Sequence, residues 1–366
     1  GIDHLINTIR TLKTYKFEEN HNDYKLIRVP IGLVALITPW NWPLNQTLTK
    51  ISSAIAAGCS IVLKPSEYSA LSSRILIEII NKSSLPKGCF SCINGVGSDI
   101  GPLISSHPDI KMISFTGSTA AGINIQELAA KTIKRVSLEL GGKSAHIICK
   151  GVDLEKAIPN AIDQCFINSG QSCSAPTRLL VPNESIENVE RIAAKYVKTL
   201  VTGNPMDTKT NLGPVVNIKQ YKSIQTHIEA GINSGYKLIS GGLGKPTSCI
   251  SGYFIKPTIF SEVPNNSLIA QEEIFGPVLS IIAYDDINHA VEITNDSIYG
   301  LSSYITCLDK NEGLEIAKEI RAGQTIINKK SRGSAPAPFG GFKMSGNGRE
   351  HGLFGLEEYL EIKAII

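Results

Sequence analysis

A thiol, an amide and a carboxylate stand out in this chain. Cys173 closes the run Phe166-Ile167-Asn168-Ser169-Gly170-Gln171-Ser172-Cys173, where a helical pattern gives way to Gly and Gln. Exposure and nearby hydrogen-bond donors are what a nucleophilic thiolate needs, and such a position can supply both. Taken alone, the stretch also fits a packed core cysteine. Asn41 sits between two rings and two prolines in Thr38-Pro39-Trp40-Asn41-Trp42-Pro43. So rigid a turn can fix a side-chain amide as donor to an oxyanion, or it can be a plain turn with an aromatic plug. Glu139 ends the apolar segment of Ser137-Leu138-Glu139-Leu140-Gly141-Gly142. Apolar walls can raise a carboxyl's pKa and suit it to general-base work; a solvated strand-end carboxylate is the alternative. Gly117-Ser118-Thr119-Ala120-Ala121-Gly122 follows an apolar run and opens a helix, where backbone N–H groups favour a pyrophosphate. Its spacing is not the GxGxxG fingerprint, and alone it is weak.

The elements that must position these groups alternate strand and helix. Strands are expected over Ile31 to Thr38, Ser60 to Leu63, Phe90 to Asn94, Met112 to Phe115 and Lys134 to Leu138. Helices run from Pro43 to Ala57, Glu67 to Ile80, Asp99 to Ser105 and Ser118 to Ala130. That alternation is the mark of a parallel, doubly wound sheet, whose ligands bind at the carboxyl ends of the strands. A second α/β series begins with Ala145 to Ile148, with helices over Leu154 to Asn168, Ile186 to Leu200, Ile218 to Ser234 and Ile287 to Asn295. The division expected is 1–30, a helix end and hairpin; 31–142, a cofactor-binding domain; 143–341, a catalytic domain; and 342–366, a returning segment ending in a strand. In the hairpin, Thr14 to Phe17 and Tyr24 to Val29 are the strands, with Glu18 to Asp23 as the turn. Ile2, Leu5, Ile6, Ile9 and Leu12 repeat at helical spacing from the first residue, which is Gly rather than Met.

Composition narrows the function classes. With 366 residues the chain can bury two cores, and 42% hydrophobic with 19% charged residues is ordinary for a globular protein. A net charge of +3 without a dense Lys/Arg block argues against nucleic acid or an acidic membrane. No run approaches the roughly 20 apolar residues that span a bilayer, and Asp3, His4, Asn7 and Arg10 break any signal-peptide core. Eight scattered cysteines point to a reducing, cytoplasmic setting rather than a disulfide framework. Cys89 and Cys92 form a lone CxxC, and the seven His show no ligand spacing, so no metal is expected. Lys143, beside the glycines, reads as structural rather than as a catalytic amine.

Together these segments closely resemble the aldehyde dehydrogenase superfamily, from about Leu26 to the C-terminus. PWNWP, KPSE at Lys64 to Glu67, FTGST at Phe115 to Thr119, LELGG, FxNxGQxC, EEIFGPV at Glu272 to Val278 and PFGGFKMSG at Pro338 to Gly346 occur in the family's order. The resemblance implies a Rossmann-like cofactor domain, a second α/β catalytic domain and a β-hairpin oligomerisation arm. It implies oxidation of an aldehyde to an acid with NAD, NADP remaining possible. Cys173 would be the nucleophile, Asn41 and the Cys173 N–H the oxyanion donors, and Glu139 the base that hydrolyses the thioester. Glu139 favours hydrolytic members over those that pass the acyl group to coenzyme A. For the cofactor, Lys64 and Glu67 would hold the adenine-side ribose, Gly117 and Ser118 the pyrophosphate, and Glu273 the nicotinamide-side ribose. Phe275 would pack near that ring, with Thr38, Trp40, Ser66 and Leu140 also contributing. The hairpin and last strand would make a homo-oligomer. Family members carry a further N-terminal portion, so the chain reads as a truncated or split member. The alternatives are a non-catalytic remnant and a coenzyme A-acylating relative. Basic Lys329, Lys330 and Arg332 fall near the expected substrate entrance and suit either an anionic aldehyde or a solvated loop.

Overall fold

The computed structural model describes residues 1–329 and 336–366. Two compact units divide the chain. Residues 1–140, 336–341 and 346–366 make the first, and residues 141–329 and 342–345 the second.

The first unit opens with α1 (Ile2–Thr14), β1 (Glu18–Asn20) and β2 (Lys25–Pro30). It continues through β3 (Leu33–Thr38), α2 (Pro43–Ala56), β4 (Ser60–Pro65), α3 (Ala70–Asn81), β5 (Phe90–Cys92), α4 (Gly97–Ser106), β6 (Met112–Thr116), α5 (Thr119–Ala130) and β7 (Arg135–Glu139). Five of these strands form a parallel sheet in the order β5-β4-β3-β6-β7. Side chains alternate across a strand, so Val34 and Leu36 enter one core with Ile51, Ala54 and Leu63 while Ala35 and Ile37 enter another with Ile113, Phe115 and Ala129. Both faces are therefore buried, as a parallel sheet requires. From β3 the chain steps outward to β4 and β5, then returns to place β6 on the other side. This reversal leaves the crevice of a doubly wound sheet between the carboxyl ends of β3 and β6, at Thr38 and Thr116.

The hairpin differs from expectation in its register. Thr14 closes α1, and Glu18, Glu19 and Asn20 form a strand rather than a turn, opposite Ile27, Leu26 and Lys25. Charge complementarity holds this polar strand: Glu18 pairs with Lys25 at 2.5 Å and Glu19 with Arg28 at 2.5 Å. Glu67 to Ser69 form a 3-10 turn before α3, with Ser66 capping it by accepting from the Tyr68 N–H.

The second unit runs β8 (Ala145–Ile148), α6 (Leu154–Phe166), β9 (Arg178–Pro182), α7 (Ile186–Val197), α8 (Ile218–Asn233), β10 (Lys237–Ser240), β11 (Thr258–Ser261), α9 (Leu268–Gln271), β12 (Val278–Tyr284), α10 (Ile287–Asn295), β13 (Tyr299–Gly300), β14 (Ser302–Thr306), α11 (Lys310–Glu319), β15 (Gln324–Ile327) and β16 (Phe342–Lys343). Its sheet is ordered β10-β11-β12-β9-β8-β14-β15 and is parallel except for the edge strand β10. Cores lie on both faces, one around Ile147, Phe260 and Ile305, the other around Ile158, Leu179 and Val189. Arg178, only 2% exposed, starts β9 and donates to the carbonyls of Lys143, Ile293 and Thr294 and to Asn265 Oδ1. Those bonds fasten the chain just before β8 to the end of α10. Finally α12 (Gly352–Glu357) and β17 (Leu360–Ile365) complete the first unit, where β17 joins β2 in a sheet ordered β1-β2-β17. Among the described residues no helix is long and apolar enough to cross a membrane.

Candidate active site

In the first unit, the residues singled out in the sequence fall at the carboxyl ends of the parallel strands. Thr38 ends β3, and its hydroxyl lies 3.2 Å from that of Thr47 on α2. Trp40, Asn41 and Trp42 bridge β3 to α2, whose first turn takes Pro43 because that position needs no N–H donor. Pro65 ends β4, placing Lys64 and Glu67 together. The ammonium of Lys64, whose side chain is 3% exposed, sits 3.2 Å from Glu67 Oε2. Burial pushes the Glu67 carboxyl up, but Lys64 and backbone N–H groups outweigh it and hold it below the usual range. Glycine is needed at 117 after β6, since a Cβ there would lie 2.4 Å from the Phe115 ring. Ser118 caps α5 by accepting from the Ala121 N–H. The buried hydroxyls of Thr116 and Thr119 on either side have no partner among the described residues. A helix start with spare hydroxyls suits an anionic, hydroxyl-bearing group such as a dinucleotide pyrophosphate. Leu140 is a core residue, its side chain filling the space that Gly122 leaves on α5.

Glu139, 2% exposed at the end of β7, has two carboxyl oxygens that accept no hydrogen bond among the described residues. Burial drives its pKa well above the carboxylate range, and Glu350 adds repulsion that Lys50 and Arg349 offset only in part. The backbone at Gly340 lies against it, as a Cβ there would fall 2.8 Å from Glu139 Oε1. Beside it Lys50 is ion-paired with Glu350 inside the protein and donates to Ser114 Oγ at 2.9 Å. Sequence reasoning missed Lys50 and Glu350. The available signal was a lysine on a face of α2 otherwise made of Gln, Thr, Ser, Ile and Ala.

In the second unit Cys173 stands on an unusual turn. A helix was expected to Asn168, but α6 stops at Phe166. Asn168, Ser169 and Gly170 then take positive φ angles of 51°, 57° and 75°, a conformation no helix continues. Gln171 holds the turn, donating to Asn168 O at 3.0 Å and accepting from the Val216 N–H at 2.9 Å. Ser169 Oγ donates to Gly213 O at 2.8 Å. Gly170 must be glycine, because its Cβ would fall 2.2 Å from Gly276 O. Cys173 emerges partly exposed, with its own carbonyl against Gly142, where a Cβ would be 2.5 Å away.

Glu273 places Oε1 3.0 Å from the Gly142 N–H, and burial pushes its pKa up to about 7. Phe275, partly exposed, has a left-handed φ of 54°, and Gln220 donates to its carbonyl at 3.1 Å. Lys143 is 2% exposed, and its ammonium has no partner among the described residues. Lys329 is exposed, while Lys330 and Arg332 lie outside the described residues. Among the described residues no group of three or more His, Cys, Asp or Glu could hold a metal ion.

The aldehyde dehydrogenase family model matches residues 2–365. The chain belongs to the aldehyde dehydrogenase family. A 3-succinoylsemialdehyde-pyridine dehydrogenase from a Pseudomonas species is 47% identical over 369 residues, spanning 100% of this chain and 76% of that protein. The crystal structure of a cysteine-to-alanine mutant of aldehyde dehydrogenase C from Pseudomonas syringae, in complex with NAD+ and octanal, superposes with a TM-score of 0.98 at 47% identity, covering 100% of this chain and 75% of that one. Betaine aldehyde dehydrogenase from Staphylococcus aureus in complex with NAD+ gives 0.96 at 34% identity, covering 100% and 74%.

Gly170→Ala tests the turn. The positive φ alone should cost about 1–2 kcal/mol, before the contact with Gly276 O is relieved. Urea unfolding should show that loss, and alkylation of Cys173 should change rate as its turn shifts; an unchanged midpoint and rate would contradict the geometry.

Proposed function

We propose that this chain oxidises a small-molecule aldehyde to the carboxylic acid with NAD through a thioester on Cys173. Glu139 supports the reading most: a buried carboxyl with raised pKa, whose oxygens accept no hydrogen bond among the described residues, is suited to take a proton from water. The Cys173 thiolate attacks the carbonyl carbon, and the displaced electron pair becomes an oxyanion. The Asn41 amide and the Cys173 N–H donate to it, each such donor being worth about 2.7–4 kcal/mol. Bound NAD would accept the hydride released as the carbonyl re-forms, leaving a thioester. Glu139 then deprotonates water, hydroxide adds to the thioester, and the thiolate leaves, freeing the acid.

The cofactor's holders are proposed on the motifs this chain shares with the family. Lys64 and Glu67 take the adenine-side ribose, and the Glu67 carboxylate repels a 2′-phosphate, which favours NAD over NADP. Gly117 and Ser118 at the start of α5 take the pyrophosphate. Glu273 takes the nicotinamide-side ribose, with Phe275 near that ring and Thr38, Trp40, Ser66 and Leu140 lining the rest. The setting proposed is cytoplasmic, in keeping with eight cysteines outside any disulfide, with neither nucleic acid nor membrane as partner.

Cofactor reduction with NAD and an aldehyde panel that includes octanal should be seen with the wild type and vanish in Cys173→Ala. A strict requirement for coenzyme A would make the chain an acyl-transferring relative, and no NAD binding would make it a remnant. Glu139→Gln should give one burst of reduced cofactor per Cys173 and then turn over at least about 100-fold more slowly. Because the base must be ionised, wild-type deacylation should rise with pH through a range above that of ordinary carboxyls, and the variant should lack this limb. Multi-angle light scattering tests a further proposal, that the exposed edge β17, with Ile362 and Ile365 outward, pairs with a second copy. A strictly monomeric mass would refute it.

A further inference from the structure

Among the described residues of the second unit, Lys143 is the one fully buried amine to which the mechanism assigns no task. Burying an ammonium without a partner costs several kcal/mol, so a purely structural site would be better served by an apolar side chain of similar length. Its backbone is fixed, because its carbonyl accepts from the buried Arg178 at 3.0 Å. The preceding residues carry Glu273. The Gly142 N–H donates to Oε1, and a Cβ on Gly141 would stand 2.3 Å from Oε2. The carboxyl therefore rests on the two glycines that lead directly into Lys143.

We propose that Lys143 is a positioning residue that acts through Glu273, its positive charge keeping that carboxyl ionised to receive the ribose hydroxyls of NAD. The inference rests on the role given to Glu273 above. The groups acting on Lys143 are few. Burial and then Arg178 lower its pKa, Cys165, Glu273 and Glu272 act the other way, and the balance stands at about 7. Burial raises Glu273, the Gly142 N–H and Lys143 pull it back, and the balance also stands at about 7. Both groups thus change charge near neutrality, where either can tip the other. Above that range Glu273 is the carboxylate that accepts hydrogen bonds; below it the carboxyl is protonated and loses acceptor strength. A cation nearby moves this change to lower pH and widens the range in which NAD is held.

NAD binding measured by quenching of tryptophan fluorescence, across pH 6 to about 9, separates the outcomes without any need for turnover. Wild-type affinity should rise with pH through about 7. In Lys143→Met the rise should move upward by about one pH unit, weakening binding near neutrality by about three- to tenfold. Glu273→Gln should remove the rise. The melting temperature of Lys143→Met should be unchanged or higher, the reverse of what a structural lysine would give. A wild-type rise that stays in place in Lys143→Met overturns the proposal. So does a variant that unfolds while Lys143→Gln folds and keeps the wild-type profile. If wild-type protein binds no NAD at any pH, the functional reading itself fails, which is a different result.

Discussion

The backbone between α6 and β9 carries the constraint on which the second unit's chemistry depends. Three consecutive residues, Asn168, Ser169 and Gly170, hold positive φ, a conformation that costs about 1–2 kcal/mol for each residue with a side chain. That cost is met by bonds converging from elsewhere. Val216 N–H binds Gln171, Ser169 binds Gly213, and Gly170 closes on Gly276. The helix is stopped abruptly, so Cys173, three residues past Gly170, lies outside regular structure instead of disappearing into the core as Cys165 does. Strain of this kind is kept where the surroundings over-determine it, and here it presents a thiol.

A second theme is charge taken out of water. Glu139, Lys50, Glu350, Lys143 and Arg178 are all nearly inaccessible, yet their surroundings treat them differently. Arg178 is saturated by carbonyls and serves as a fastener. Lys50 and Glu350 neutralise each other beside Glu139. Among the described residues Glu139 and Lys143 have no direct hydrogen-bond partner, and desolvation moves both toward their neutral forms. A buried ionisable group without a direct partner contributes little to stability, which is why a chemical role is proposed for each of these two residues.

Much of the architecture could be read from one sequence. The alternation of short apolar runs with amphipathic helices gave the parallel sheet, because buried parallel strands and 3.6-residue periodicity leave different patterns. Residues near a strand's end, such as Thr38, Lys64, Gly117 and Glu139, were legible for the same reason: once the strands are placed, their carboxyl ends are too. Local chemistry that defies periodicity was not. The polar strand Glu18–Asn20 reads as a turn until Lys25 and Arg28 are seen across from it. The helix expected to reach Asn168 is cut at Phe166 by contacts with residues 213, 216 and 276, which no local window contains.

The sequence by itself determined which residues could do chemistry and which family's order of motifs they follow, since side-chain type and spacing are local properties. Only the tertiary structure decided their ionisation and their freedom. That Glu139 is a high-pKa carboxyl rather than a solvated one follows from burial beside Glu350. That Lys143 is an amine without a hydrogen-bond partner among the described residues follows from its enclosure, with Arg178 and Glu273 acting on it. Both are consequences of desolvation and of charges distant in the chain but close in space, and a list of residues carries neither.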